Sequence, residues 1–280
     1  MEGIVISNRY GVYSVLSNGV IYNCSLKGLL KFKNKIYVGD RVILDDVHFQ
    51  IMDMFERKSY LKRPSISNID QILLVFSLKE PDFSYYLAFK YLTYASFNNI
   101  DASLVLTKAD KSSDKEISEI INIFTKLGIK VYVTSSKTKE GVDEITGMFA
   151  NKITVLVGQS GVGKSSLLNA IDENYLREVG DYSLALGRGK HKTKETVLLP
   201  YKDGFIADTP GFSSLELDMN KLEVAEYFPS FKDDATKCYY SNCLHISEKN
   251  CKIKEKVNSG EIPTIAYENY LKLLEEVERY

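Results

Sequence analysis

At 280 residues, with 44% hydrophobic and 26% charged side chains and a net charge of −1, the chain has the composition of a soluble globular protein with room for two or three domains. No apolar run reaches membrane-spanning length, and Met1-Glu2-Gly3-Ile4-Val5-Ile6-Ser7 lacks the basic-then-apolar order of a signal peptide. Membrane and secreted classes are therefore set aside, and the expected compartment is the cytoplasm. Residues 1–66 carry ten Lys/Arg against six Asp/Glu, a bias that suits nucleic acid contact and equally an ordinary solvated face.

Along the chain, Gly3–Ile6, Gly11–Leu16, Val20–Tyr22, Arg41–Leu44 and Phe49–Met52 read as short strands. They are separated by turn residues, of which Asn18-Gly19 is a strong hairpin signal. Five short strands in this length predict a small closed barrel of the OB type. Tyr10, Tyr13, Tyr22 and Phe32 are either stacking surfaces or barrel core, and Cys24 reads as a small buried hydrophobe. From residue 67 strands alternate with helices: Gln71–Phe76, Ser103–Leu106, Lys130–Val133, Ile153–Val157, Val197–Leu199 and Phe205–Ala207, with helices such as Tyr85–Ser96 and Lys115–Lys126. This predicts a mostly parallel sheet with helices on both faces. Beyond Leu217 the pattern changes again and ends in a helix over Ala266–Tyr280. Its stripe of Tyr267, Tyr270, Leu271, Leu274 and Val277 reads as core packing. The expected domains are 1–66, 67–217 and 218–280.

Gly158-Gln159-Ser160-Gly161-Val162-Gly163-Lys164-Ser165, followed by Ser166, is a complete G-x-x-x-x-G-K-S phosphate loop between a strand and a helix. Its backbone N–H groups can cradle phosphates. Lys164 can reach the β- and γ-phosphates, and the Ser165 hydroxyl suits Mg²⁺. Asp208-Thr209-Pro210-Gly211 follows a strand. There Asp208 can hold Mg²⁺, commonly through water, and the Gly211 N–H can bond a γ-phosphate. Thr107-Lys108-Ala109-Asp110 also follows a strand. The Asp110 carboxylate can accept from guanine N1–H and the 2-amino group, which adenine lacks, while the Lys108 stem covers the base. The alternative there is a helix start capped by Asp110. Thr134-Ser135-Ser136-Lys137 is a candidate loop for guanine O6, or an ordinary Ser/Thr turn. Gly187–Lys194 is basic and glycine-rich; Thr193 is its candidate Mg²⁺ ligand, and an RNA-phosphate patch is the alternative.

Cys238-x4-Cys243-x-His245-x5-Cys251 offers three thiolates and an imidazole. These suit a closed tetrahedral Zn²⁺ site of structural type, although the spacing is not the usual C-x2-C and leaves unligated cysteines as the alternative. Phe212 stands where many GTPases have a glutamine that orients water, so another group must do that task. His191 is the preferred catalytic candidate besides Lys164, with a structural or RNA-contacting role as its alternative.

The order of these motifs is unusual, since 107–110 and 134–137 precede the phosphate loop instead of following Asp-x-x-Gly. In that order, and with Arg63-Pro64, Asn68-Ile69-Asp70-Gln71, Gly187–His191, Asp208–Phe212 and the Cys/His cluster, nearly the whole chain resembles the RsgA (YjeQ) family of circularly permuted GTPases. The resemblance implies an N-terminal OB barrel, a permuted α/β P-loop GTPase domain and a mainly α, zinc-binding C-terminal domain. It also implies low intrinsic GTP hydrolysis stimulated by the small (30S) ribosomal subunit, late maturation of that subunit as the task, and 16S rRNA, GTP and GDP as partners of a monomer. Two positions depart from the family pattern: Lys192-Thr193-Lys194 replaces a threonine run, and Thr107 stands where asparagine is commoner. The rival readings are an ATP-dependent P-loop enzyme and an RNA-binding scaffold that does not hydrolyse nucleotide.

Overall fold

The computed structural model describes residues 1–28, 35–62, 65–173, 196–208, 215 and 217–278, Asp208 by its backbone alone. Phe32, Arg63-Pro64, the 187–194 segment with His191 and Thr193, and Gly211-Phe212 lie outside the described residues.

The elements in chain order begin with β1 (Glu2–Arg9), β2 (Val12–Ser17), β3 (Val20–Leu26), β4 (Arg41–Asp45), β5 (Gln50–Met54), β6 (Tyr60–Leu61) and β7 (Ile66–Ser67). Next come β8 (Gln71–Ser77), α1 (Tyr85–Phe97), β9 (Asp101–Thr107), a 3₁₀ turn (Ala109–Lys111), α2 (Asp114–Lys126), β10 (Val131–Val133) and α3 (Val142–Thr146). The rest are β11 (Ile153–Val157), α4 (Lys164–Ile171), β12 (Val197–Tyr201), β13 (Gly204–Asp208), α5 (Lys221–Tyr227), α6 (Lys232–Ala235), α7 (Lys252–Asn258) and α8 (Thr264–Val277). The central sheet has the order β10-β9-β8-β11-β13-β12. No helix among the described residues is long and apolar enough to cross a membrane. The chain divides into two compact units, one of Met1–Ile72, Asp143–Val157 and Leu168–Ser213, the other of Leu73–Val142, Gly158–Leu167 and Ser214–Tyr280.

In the first unit, β1-β2-β3-β5-β4 close into a barrel. Every neighbouring pair is antiparallel except β3 and β5, which run parallel. Alternation along β4 sends Val42 and Leu44 inward, where they meet Val5, Val15, Cys24, Ile36 and Ile51. Tyr13 belongs to this core and Tyr22 packs against it, whereas Tyr10 stands fully exposed. Of the aromatic residues considered for stacking, Tyr13 is therefore structural. The same unit holds β11, which pairs in parallel with β13, and the antiparallel β12–β13 hairpin.

The barrel is tied to the segment that follows it through Asp40, whose side chain is wholly buried. Its carboxylate accepts from Arg57 Nε (2.7 Å) and Nη2 (2.8 Å), Ser67 Oγ (2.6 Å) and Tyr37 N (2.8 Å). The guanidinium lies over the ring of Tyr37 and also donates to Lys35 O. Such an anion is tolerable because every strong acceptor direction is filled. Replacing Asp40 by Ala leaves Arg57 without its counter-ion and Ser67 and the Tyr37 N–H without an acceptor. We expect a loss of about 3 kcal/mol in denaturant unfolding followed by circular dichroism.

In the second unit, β10 and β9 pair in parallel with Val131 opposite Leu104. Helix α2 is started by a reciprocal box in which the Ser113 hydroxyl accepts from Glu116 N and the Glu116 carboxylate accepts from Ser113 N. It buries only Ile120 and Phe124. Helix α1 is buried over most of its length, and its Phe89 stacks on Phe124 of α2 and meets Phe228 after α5. Helix α8 starts at Thr264, after Pro263, and buries Ala266, Tyr270, Leu273 and Leu274. The expected stripe is thus offset: Leu271 and Val277 are only half-buried. Near the end of α8, Glu276 accepts from Lys90 Nζ of α1 (2.5 Å) and from the Tyr86 hydroxyl.

Candidate nucleotide site and metal cluster

The phosphate loop, Lys108, Asp110 and Ser135 all fall within the second unit. Gly158 passes so close to β8 that a Cβ would lie 2.1 Å from the Val75 carbonyl oxygen, and Gly163 sits at φ +97° in the left-handed region. Both positions therefore require glycine. The first helical bond of α4 runs from Leu167 N to Gly163 O (2.8 Å). Ser165 and Ser166 are exposed at this helix start. Lys164 is half-buried, and its Nζ donates to Gly158 O (2.5 Å) and Gln159 O (2.8 Å), so its cation lies over the loop it would serve. Burial moves its pKa down from the usual lysine value.

Two side chains at the end of β9 reach this loop. The Thr107 hydroxyl, buried, lies 2.5 Å from Val162 O and 3.2 Å from Phe76 O of β8. Lys108, at φ 57°, donates from Nζ to Gly161 O (2.9 Å) and Glu80 O (2.5 Å). The base-reading and phosphate-binding candidates are thus joined by direct hydrogen bonds across more than fifty residues of chain. The Thr107 hydroxyl takes the loop carbonyl itself at this tie.

Asp110 is exposed on the 3₁₀ turn, and its Oδ1 accepts from the Ser135 hydroxyl (2.7 Å). That bond, first among several causes, holds its carboxyl below the ordinary aspartate range. Ser135 is buried, accepts from Thr138 N through its hydroxyl, and donates its backbone N–H to Glu140 O (3.1 Å). Its N–H is therefore engaged inside the loop, and its hydroxyl orients Asp110. Ala109 is buried, with its N–H on Thr134 O, and Ser136 is half-buried beside it. Asp208 ends β13 in the first unit.

Cys238, Cys243, His245 and Cys251 converge so that their ligand atoms all lie within 4.8 Å of one another. Bonds of about 2.3 Å to sulfur and about 2.0 Å to nitrogen at tetrahedral angles put sulfurs ~3.8 Å apart and nitrogen ~3.5 Å from sulfur. The Cys238–Cys251 sulfurs are 3.9 Å apart, and His245 Nδ1 lies 3.6 and 3.4 Å from them. This donor set fits a structural zinc ion. The imidazole is buried, and that burial lowers its pKa, favouring the neutral form that ligates. Phe231 packs edge-on against the ring.

A family model for the RsgA GTPase matches residues 54–218. The small ribosomal subunit biogenesis GTPase RsgA of Geobacillus sp. (strain WCH70) is 41% identical over 285 residues, spanning 99% of this chain and 97% of that protein. The chain belongs to the RsgA GTPase family. The RsgA of Carboxydothermus hydrogenoformans is likewise 41% identical, with 99% and 98% coverage. Among solved structures, YjeQ from Thermotoga maritima matches with a TM-score of 0.86 at 34% identity, covering 100% of this chain and 99% of that one. YloQ, a circularly permuted GTPase, matches at 0.81 and 34%, covering 99% and 95%. The RsgA assignment explains the motif order: circular permutation brings 107–110 and 134–137 ahead of the phosphate loop.

Sequence reasoning missed Glu80, which holds Lys108 through its carbonyl and Lys111 through its carboxylate (2.5 Å). It also missed Glu248, Tyr267 and Tyr270 around the metal cluster. Most of these contacts run to backbone carbonyl or N–H groups, which carry no residue signature, so nothing in the pattern marked them.

Two outcomes test this geometry. Thr107→Val keeps the shape but leaves the Val162 carbonyl unpaired, and we expect GDP to bind about tenfold more weakly in a fluorescent-nucleotide titration. Burial pushes the Cys243 thiol up to about 12 and raises Cys251, so both are protonated at neutral pH without metal. Zinc binding must then displace both protons. Affinity should therefore fall as pH falls, and calorimetry in buffers of different ionisation enthalpy should register the released protons.

Proposed function

We propose that this GTPase acts in late maturation of the small (30S) ribosomal subunit, with subunit-stimulated GTP hydrolysis driving its release. The observation that carries the reading is the pair of hydrogen bonds from Thr107 to Val162 and from Lys108 to Gly161. They support a reading in which the Asp110 carboxylate takes the guanine end, and the Gly158–Ser165 loop the phosphate end, of one nucleotide. The names of the relatives, small ribosomal subunit biogenesis GTPases, support the substrate and the task.

In this reading the backbone of Gly158–Ser166 cradles the phosphates, and Lys164 leaves the loop carbonyls for the β- and γ-phosphates. Asp110, oriented by Ser135, accepts from guanine N1–H and the 2-amino group. Thr107 and Ala109 hold that turn, the Lys108 stem covers the base, and Ser136 faces O6. Ser165, Thr193 and Asp208 would hold Mg²⁺, which would neutralise phosphate charge there. Gly211 bonds the γ-phosphate, and His191 orients the attacking water in place of a glutamine. Cys238, Cys243, His245 and Cys251 hold one structural zinc ion. The protein works as a cytoplasmic monomer whose parts, 1–66, 67–217 and 218–280, serve 16S rRNA binding, nucleotide turnover and rRNA contact. Hydrolysis weakens the grip on the subunit, since the Asp208–Gly211 segment loses its γ-phosphate partner.

Phosphate release from GTP, with and without purified small subunits, tests the reading. We expect stimulation by subunits, no release by Lys164→Ala, and loss of most stimulation in His191→Ala. ATP turnover equal to GTP would overturn the guanine assignment, and absence of stimulation would overturn the subunit assignment. Asp110→Asn should weaken GTP on the order of 100-fold while gaining xanthosine triphosphate, whose 2-oxo group accepts where guanine donates.

A further inference from the structure

We propose that Glu248, Tyr267 and Tyr270 are positioning residues that preset the His245 ligand of the metal cluster and couple the ion to helix α8. The inference rests on reading that cluster as a zinc site. His245 sits at φ 57° in the left-handed region, which a non-glycine residue keeps only where its surroundings hold it. Three side chains do so. The two Glu248 oxygens each accept a backbone N–H flanking the histidine, Leu244 N at 2.8 Å and Ile246 N at 2.7 Å. From α8, the Tyr267 hydroxyl donates to His245 O (2.6 Å) and the Tyr270 hydroxyl to Leu244 O (2.6 Å). Four backbone groups of one ligand turn are thus satisfied by side chains alone.

The two tyrosines differ in setting. Tyr270 is fully buried among Phe228 and Phe231, and Phe231 is the ring that packs against His245. Tyr267 is half-buried and stacks at an angle on Tyr270. Further along α8, Glu276 holds Lys90 and Tyr86 of α1. A displaced His245 turn would pull on the same helix that docks on α1, so the ion and the α8–α1 contact share one rigid path.

The test is titration of the metal-free full-length chain with Co²⁺, then competition with Zn²⁺ and a chromogenic chelator. Glu248→Gln keeps one acceptor oxygen but turns an amide N–H₂ toward a backbone N–H. The double variant Tyr267→Phe, Tyr270→Phe keeps the rings and removes both donors, and it remains informative where Glu248→Gln does not fold. Each should bind one ion per chain with affinity reduced about tenfold to hundredfold, with a weakened or shifted tetrahedral cobalt band. GDP affinity should stay unchanged, which separates a local effect from unfolding. Glu255→Gln, on the exposed face of α7, should match the parent. Variants within twofold of the parent, with the same cobalt spectrum, would overturn the inference. A parent chain that bound neither ion would instead overturn the cluster reading on which it rests.

Discussion

The hydroxyl of Thr107 against the carbonyl of Val162 is the contact on which the proposed nucleotide site depends. A phosphate loop by itself selects no base, and a Lys-x-Asp turn by itself holds no phosphate. Fixing one to the other brings two segments from distant parts of the chain side by side. The bond is short and buried, so water cannot substitute for either partner, and the cost of leaving the carbonyl bare keeps the two segments in register. Lys108 adds a second link to Gly161 from the exposed side. Asp110 stands exposed on its turn, and its Oδ1 accepts from Ser135.

Order along the chain matters less to such a site than closeness in the fold. Parallel strands deliver their loops to one end of a sheet whatever sequence joins them. The permuted order therefore disturbs no contact described here: Thr107 meets Val162, and Ala109 meets Thr134, through strand-end geometry.

Much of this was legible beforehand, and the reasons differ from part to part. The barrel strands declared themselves through alternation and Asn18-Gly19, because burial on one face of a strand has a period of two. The phosphate loop was legible because glycine is demanded at Gly158 and Gly163 for steric reasons. Residue type did not reveal that Tyr13 of β2 points inward while Tyr10, in the β1–β2 turn, stands in solvent, since tyrosine suits either setting. The terminal helix was read as a plain apolar stripe. Its tyrosines do pack, but their hydroxyls also reach carbonyls in the metal loop, and an acceptor common to every residue leaves no trace in composition. The same holds for Glu248, whose partners are backbone N–H groups.

Closure of the barrel through the parallel β3–β5 pair carries a consequence for how the N-terminal unit meets other molecules. Closure gives each barrel strand a neighbour on both sides, which reduces the backbone N–H and C=O groups open to a foreign strand. Val12, Val20 and Phe49 stand in solvent on this surface. Recognition by the barrel then falls mainly to side chains and the loops that join its strands, where sequence change can retune a partner without touching the core.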